Sequence, residues 1–196
     1  MKLLLATLLS LAVLPGCTSL GRLDAKASPP TVSESIFVIG VTPANHRISA
    51  FPGTVEDGVF RQNAFLPAAL YGAAKDGFIV GKASAGDVLA ITNVRLISDD
   101  STAFLGRDFS PCKAAKTFVF QIPKGKVIYI GSVDYKFKED KLEVHYRRDL
   151  KAATKYIDTN YPLLKGMVEY QEPQLLPTAI NCNPGPIYIP IYINAK

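Results

Sequence analysis

From residue 36 onward the chain reads as short apolar runs separated by Gly, Pro and Asp at roughly ten-residue spacing, the punctuation of a β-protein. The run Ile36-Phe37-Val38-Ile39-Gly40-Val41 is continuously apolar, as a strand buried on both faces requires. A shorter strand is predicted over 47–50, ending at the turn signal Pro52-Gly53, and another over 59–62. The alanine-rich stretch 68–74 fits a strand or a helical turn, and Lys75-Asp76-Gly77 breaks it sharply. Phe78-Ile79-Val80 follows, then a Gly86-Asp87 turn and the longest strand of this half, 88–97, closed by Asp99-Asp100.

Period-two alternation is clearer in the second half. Phe118, Phe120 and Ile122 share one face, and Pro123-Lys124-Gly125-Lys126 turns the chain into an apolar stretch over 127–133, which predicts a hairpin. Over 142–146, Leu142, Val144 and Tyr146 alternate with Glu143, His145 and Arg147, so one face is dry and one wet, as in an antiparallel sheet. Apolar spacing then changes to three and four at Leu150, Ala153, Ile157 and Tyr161, which predicts a helix capped by Asp149, running to 160 and stopped by Pro162. Residues 171–186, rich in Pro, Asn and Gln, read as a long surface loop. A final strand over 187–193 contains Pro190, which cannot donate to a ladder and so belongs at an edge or a break. The sum is a mainly β chain with one helix, an antiparallel β-sandwich over 35–196 without an internal repeat.

The N-terminus follows a different pattern. Lys2 precedes an apolar segment, 3–13, interrupted only by Thr7 and Ser10; a bilayer span needs about 20 such residues, so this is the length of a signal-peptide core. It closes on Leu14-Pro15-Gly16-Cys17. Leu14, Gly16 and Cys17 resemble the lipidation signal of bacterial lipoproteins, although Pro15 stands where Ala, Ser or Thr is usual. The resemblance implies cleavage between Gly16 and Cys17, a diacylglyceryl thioether on Cys17, and often a further acyl chain such as palmitate on the new amine. Two or three chains hold a protein at a membrane essentially permanently. Thr18 in place of an Asp after the cysteine implies the outer membrane, with the domain facing the periplasm. Residues 1–16 are then a signal peptide and 17–34, small and polar with Ser28-Pro29-Pro30, a lipidated N-terminus and flexible tether.

Phe120, Gly125, Lys126, Tyr129, Gly131, Tyr161 and Pro162 also resemble small bacterial lipoproteins of unknown function that carry a compact β-sandwich domain. That likeness covers about a quarter of the chain and implies a fold without an activity.

Composition agrees with strands and turns: 10 Phe, 9 Tyr, 14 Gly and 14 Pro, with no Trp, in 196 residues. The net charge of +5 is uneven, with eight Lys/Arg against nine Asp/Glu over 18–112 and twelve against six over 113–165. An envelope location excludes nucleic acid as the anionic partner and leaves phospholipid head groups, cell-wall carboxylates or an acidic protein surface. Lys136, Lys138, Arg147, Arg148 and Lys151, interleaved with Tyr135, Phe137 and Tyr146, form the expected interaction patch, with an ordinary solvated face as its alternative.

Of three cysteines, Cys17 is consumed by the anchor, leaving Cys112 and Cys182 in turn-like contexts. An oxidising compartment favours a disulfide between them over two buried thiols. Catalytic candidates are weak. His46 and His145 are the only histidines and lack ligand spacing for a metal; no glycine loop calls for a nucleotide or other cofactor. Ser84 misses the Gly-x-Ser-x-Gly elbow. A Cys112–His145 pair has no flanking motif, and Asp99-Asp100 and Glu139-Asp140 fall in turns. The expected function is that of a lipid-anchored cell-envelope protein that binds or scaffolds a wall or envelope-protein partner without catalysis. Binding of a small ligand or cell-wall fragment in a cleft of the sandwich is the alternative, followed by an envelope enzyme.

Overall fold

The computed structural model describes residues 20–96, 107–112, 115–138, 141–181 and 188–192. Thirteen strands and one α-helix follow one another among them. They are β1 (Glu34–Thr42), β2 (Arg47–Glu56), β3 (Val59–Gln62), β4 (Leu70–Ala73), β5 (Phe78–Ser84), β6 (Val88–Leu96), β7 (Arg107–Phe109), β8 (Lys116–Gln121), β9 (Val127–Lys138) and β10 (Lys141–Arg147), then α1 (Leu150–Asn160), β11 (Val168–Tyr170), β12 (Gln174–Pro177) and β13 (Tyr188–Tyr192). Two sheets face each other. The first runs β13-β10-β9-β1-β5 with β11 beside β9, and the second runs β12-β8-β6-β2-β3 with β4 on β2 and β7 on β6. The second sheet is antiparallel throughout; the first is mixed, since β1 and β11 lie parallel to β9, and β13 parallel to β10.

Three apolar layers hold the domain. Phe37, Ile39 and Val41 of β1 meet Ile48, Leu89, Phe118 and Phe120 of the second sheet in the central core. The alternate residues Ile36 and Val38 meet Ala153, Tyr156 and Ile157 of α1 on the other face, so β1 is buried on both sides as its unbroken apolar run requires. The third layer, Phe60, Ala90 and Val119, lies on the face of the second sheet turned away from the core. That sheet curls until its edges meet: Phe60 of β3 bridges to Thr178 just after β12, and the Ala179 amide donates to the Phe60 carbonyl at 2.9 Å.

Asp149 caps α1 as its position suggests, its carboxylate accepting from the Ala152 amide at 3.0 Å. β10 presents Leu142, Val144 and Tyr146 to the core, and β13 lies at the sheet edge.

Four expectations are corrected. Residues 118–133 are not a hairpin: β8 belongs to the second sheet and β9 to the first, and the 123–126 turn crosses between them. Ser35 pins that crossing, its hydroxyl donating to the Pro123 carbonyl and accepting from the Lys126 amide. β2 does not stop at Pro52-Gly53 but continues to Glu56, because the missing Gly53 side chain leaves the space that the Phe60 ring fills. The 171–186 loop contains β12, whose Leu175 packs on the core while Leu176 packs on the third layer. Finally, the expected tether is tied down from Leu20: Leu20 and Tyr71 exchange backbone hydrogen bonds of 2.8 Å, and the Leu23 amide donates to Val80 at 2.9 Å.

Candidate functional site

Gly16, Cys17 and Cys182 lie outside the described residues. Cys112 follows β7 and is half-buried. The buried Thr178 hydroxyl donates to the Pro111 carbonyl, so the chain leading to Cys182 runs beside Cys112.

The cationic patch separates into two faces. Lys136 and Arg147 stand on the outward face of β9 and β10, whereas Tyr135 and Tyr146 point into the core and Phe137 sets its ring edge against Phe109. Acids share the cationic face. Arg147 Nε donates to Asp134 at 2.8 Å and its Nη1 lies 3.6 Å from Asp149, while Glu143 sits in register with Lys136. Arg148 sets its guanidinium over Tyr170, Cζ 3.8 Å from the ring centre, and Lys151 is exposed in the first turn of α1. Lys138 ends β9. The patch is therefore of mixed sign, and exposed pairs of this kind contribute about 0–1 kcal/mol each.

His145 shares the outward face of β10, its Nε2 3.9 Å from Glu143, with both ring nitrogens buried and without a hydrogen-bond partner. Its neighbour Tyr146 points the opposite way and donates to the Lys116 carbonyl at 3.0 Å, so the structure does not bring His145 to the 112–116 segment. Ser84 is an exposed residue ending β5; both acidic pairs lie outside the described residues. No group of three or more His, Cys, Asp or Glu side chains among the described residues could hold a metal, and no described helix is long and apolar enough to cross a membrane.

What the structure does assemble is a cleft of about 770 Å3 in the outward face of the curled sheet. β2 contributes Ser49 and Phe51, β3 contributes Arg61 and Gln62, β4 Tyr71, and β6 Thr92, Asn93 and Arg95, with Ser110 and Ala179 at the rim. These residues reach the same face because β2 and β6 carry a matched irregularity, the register slipping between Ser49 and Ala50 so that Thr92 is the extra residue opposite them. The Thr92 hydroxyl donates to the Gln62 carbonyl at 2.8 Å and fixes that amide. Both arginines are neutralised locally. Arg95 makes two 2.7 Å bonds to Asp108, which hold its guanidinium still more firmly protonated, and Arg61 pairs with Glu56 at 2.9 Å. The Tyr71 ring lies under the Arg47 guanidinium, 5.8 Å from its centre. Hydroxyl and amide groups thus converge beside two aromatic rings, with little net charge.

No single sequence signal marks this cleft, since its residues come from six separate segments and form no spaced motif. No protein-family model, curated protein or solved structure matches the chain.

Proposed function

We propose that the chain is a lipid-anchored protein of the bacterial cell envelope that binds a polar, uncharged, polyhydroxylated partner of the cell-wall glycan class, without transforming it. The cleft carries this reading. Amide and hydroxyl groups from Ser49, Gln62, Thr92 and Asn93 match a hydroxyl-rich ligand, the Phe51 and Tyr71 rings offer apolar faces for sugar rings, and the paired arginines leave no bare charge for an anion. Co-sedimentation with purified wall sacculi tests it. Retention that persists at high salt and falls at least several-fold in a Gln62→Ala/Asn93→Ala double variant is expected. Retention abolished by salt and indifferent to that variant would assign binding to the Lys136, Arg147, Arg148 and Lys151 face instead.

The anchor rests on Leu14 to Cys17. The same reading makes Cys112 and Cys182 a disulfide, supported by the Thr178–Pro111 contact that aligns their segments and worth ~4 kcal/mol on the loop-entropy account. One intact-mass measurement reads both features: a mature chain starting at an acylated Cys17, and a gain of two hydrogens on reduction. An unmodified cysteine ends the anchor, and an unchanged mass on reduction ends the bridge.

A further inference from the structure

Two exposed apolar side chains lie on the β3–β4 connection and a third, Leu20, on the segment that pairs with β4 just after it. Phe65 is 97% exposed, and Leu66 and Leu20 are each 48% exposed. The β3–β4 connection that carries Phe65 is braced rather than loose. The Asn63 side chain accepts from the Phe65 amide at 3.0 Å and its carbonyl accepts from Leu66 at 3.3 Å. Bonds from Asn63 to Pro52 and from Ala69 to Ala50, both 2.9 Å, tie its two ends to β2. Leu20 is fixed alongside by its paired bonds to Tyr71, and Gly21 comes so close that a Cβ there would lie 1.9 Å from the Ala69 carbonyl oxygen. Cys17 stands three residues before Leu20, a reach of at most about 10 Å even fully extended.

We propose that this edge is the membrane-facing side of the domain, and that Phe65, Leu66 and Leu20 enter the interfacial layer of the bilayer that takes the acyl chains of Cys17. The proposal rests on the lipid-anchored reading above. An aromatic and a leucine on a braced loop, with Leu20 on the segment pinned to the following strand, match the apolar side chains that interfacial elements bury at the head-group boundary. Three side chains fall far short of the roughly 1,000 Å2 that a stable interface with a second copy needs, whereas the short reach from Cys17 brings the bilayer to this edge. Ala64 and Tyr71 belong to both the loop region and the cleft, so the cleft then opens next to the membrane surface.

Because the chain contains no tryptophan, Phe65→Trp in the mature protein is a unique reporter. Val32→Trp, at a 78% exposed position beside Gly125, serves as the comparison. Both are reconstituted into phosphatidylethanolamine/phosphatidylglycerol vesicles containing head-group and shallow-chain nitroxide lipids, with the mass of the Cys17 peptide read from the same sample. A blue shift and strong quenching at position 65, with weak quenching at position 32, are expected. Equal quenching at the two positions, or an acylated protein whose indole at position 65 is unquenched, overturns the proposal and leaves the anchor standing. A blue shift that rises with protein concentration in detergent but is not quenched in vesicles makes the contact a second copy and also overturns it. An unmodified Cys17 removes both the anchor and the proposal.

Discussion

Burial decides the chemistry of His46 more than any charge does. The residue is 7% exposed, its ring stacks on Tyr135 with centroids 5.9 Å apart, and its Nδ1 donates to the Asn45 side-chain oxygen Oδ1 at 2.9 Å. Removal from water lowers its pKa from 6.5 to about 4. Above pH 6.5 the ring is neutral in folded and unfolded chains alike, and its environment costs nothing. As pH falls from about 6.5 toward about 4 the unfolded chain takes up a proton that the folded one refuses, so stability drains away across that window. The full shift would correspond to ~3 kcal/mol, and residual solvent contact trims it to ~2 kcal/mol. Urea midpoints at pH 7 and pH 4.5 should therefore separate widely in the parent and much less in His46→Gln; equal separations would show that other groups carry the acid sensitivity. Residue-level chemistry of this kind was partly legible in the sequence. The alternation of cations and aromatics over 135–147 was visible, but the carboxylates of Asp134 and Asp149 meet Arg147 only once β9, β10 and α1 are assembled.

Elements that bury two faces or cap themselves announced their structure, and elements defined by a partner did not. β1 is an apolar run because both faces are covered, and α1 has its apolar spacing and its cap together in one local stretch from Asp149 to Tyr161. The β8–β9 crossing, by contrast, has the same alternation and the same glycine turn as a hairpin. Only the insertion of β1 beside β9, and the hold of Ser35 on both ends of the turn, separate the two outcomes. β9 also makes a local demand of its own. Its pairing with β1 passes from Val38 opposite Tyr129 to Ile39 opposite Gly131, so Ile130 is an extra residue and Gly131 adopts φ +142°. A Cβ at Gly131 would lie 2.9 Å from the Phe118 ring. Gly131→Ala is expected to cost ~2–3 kcal/mol, combining backbone strain with overpacking. Gly77→Ala, also at positive φ but with nothing within 4 Å, should cost only ~1 kcal/mol. Thermal midpoints of the two variants make the comparison, since 1 kcal/mol moves a domain of this size by about 2–4 °C. Equal shifts would mean that the bulge yields where the Phe118 contact says it cannot.

At the scale of the whole molecule the two sheets share a central core, but on one side each ends in an open strand, β4 in the second sheet and β5 in the first. The segment from Leu20 to Leu23 closes that side. Leu20 pairs with Tyr71 of β4, Arg22 bridges to Gly81 and Leu23 bonds to Val80 of β5, so four residues join both sheet edges and occupy backbone groups that would otherwise invite another strand. The sequence around it, small and polar without period, carried no sign of this, because the bonds are made by backbone alone. Gly21 is the joint: its φ is +70° and no Cβ fits against Ala69. Gly21→Val should therefore release the strap from β4 while leaving the Cys17 signal untouched. Faster amide hydrogen exchange at Tyr71, with the β9 amides unchanged, is the expected signature, because the Tyr71 amide donates to Leu20 whereas β9 is held between β1 and β10. The same variant separates the strap from the anchor in function. On the proposed anchoring through Cys17, detaching Leu20 should leave the protein at the membrane while an indole introduced at position 65 loses its nitroxide quenching, since the strap would then be what holds that side of the domain toward the lipid. Unchanged exchange at Tyr71 would show that the strap survives a side chain it has no room for, and would place its hold in Leu23 and β5 instead.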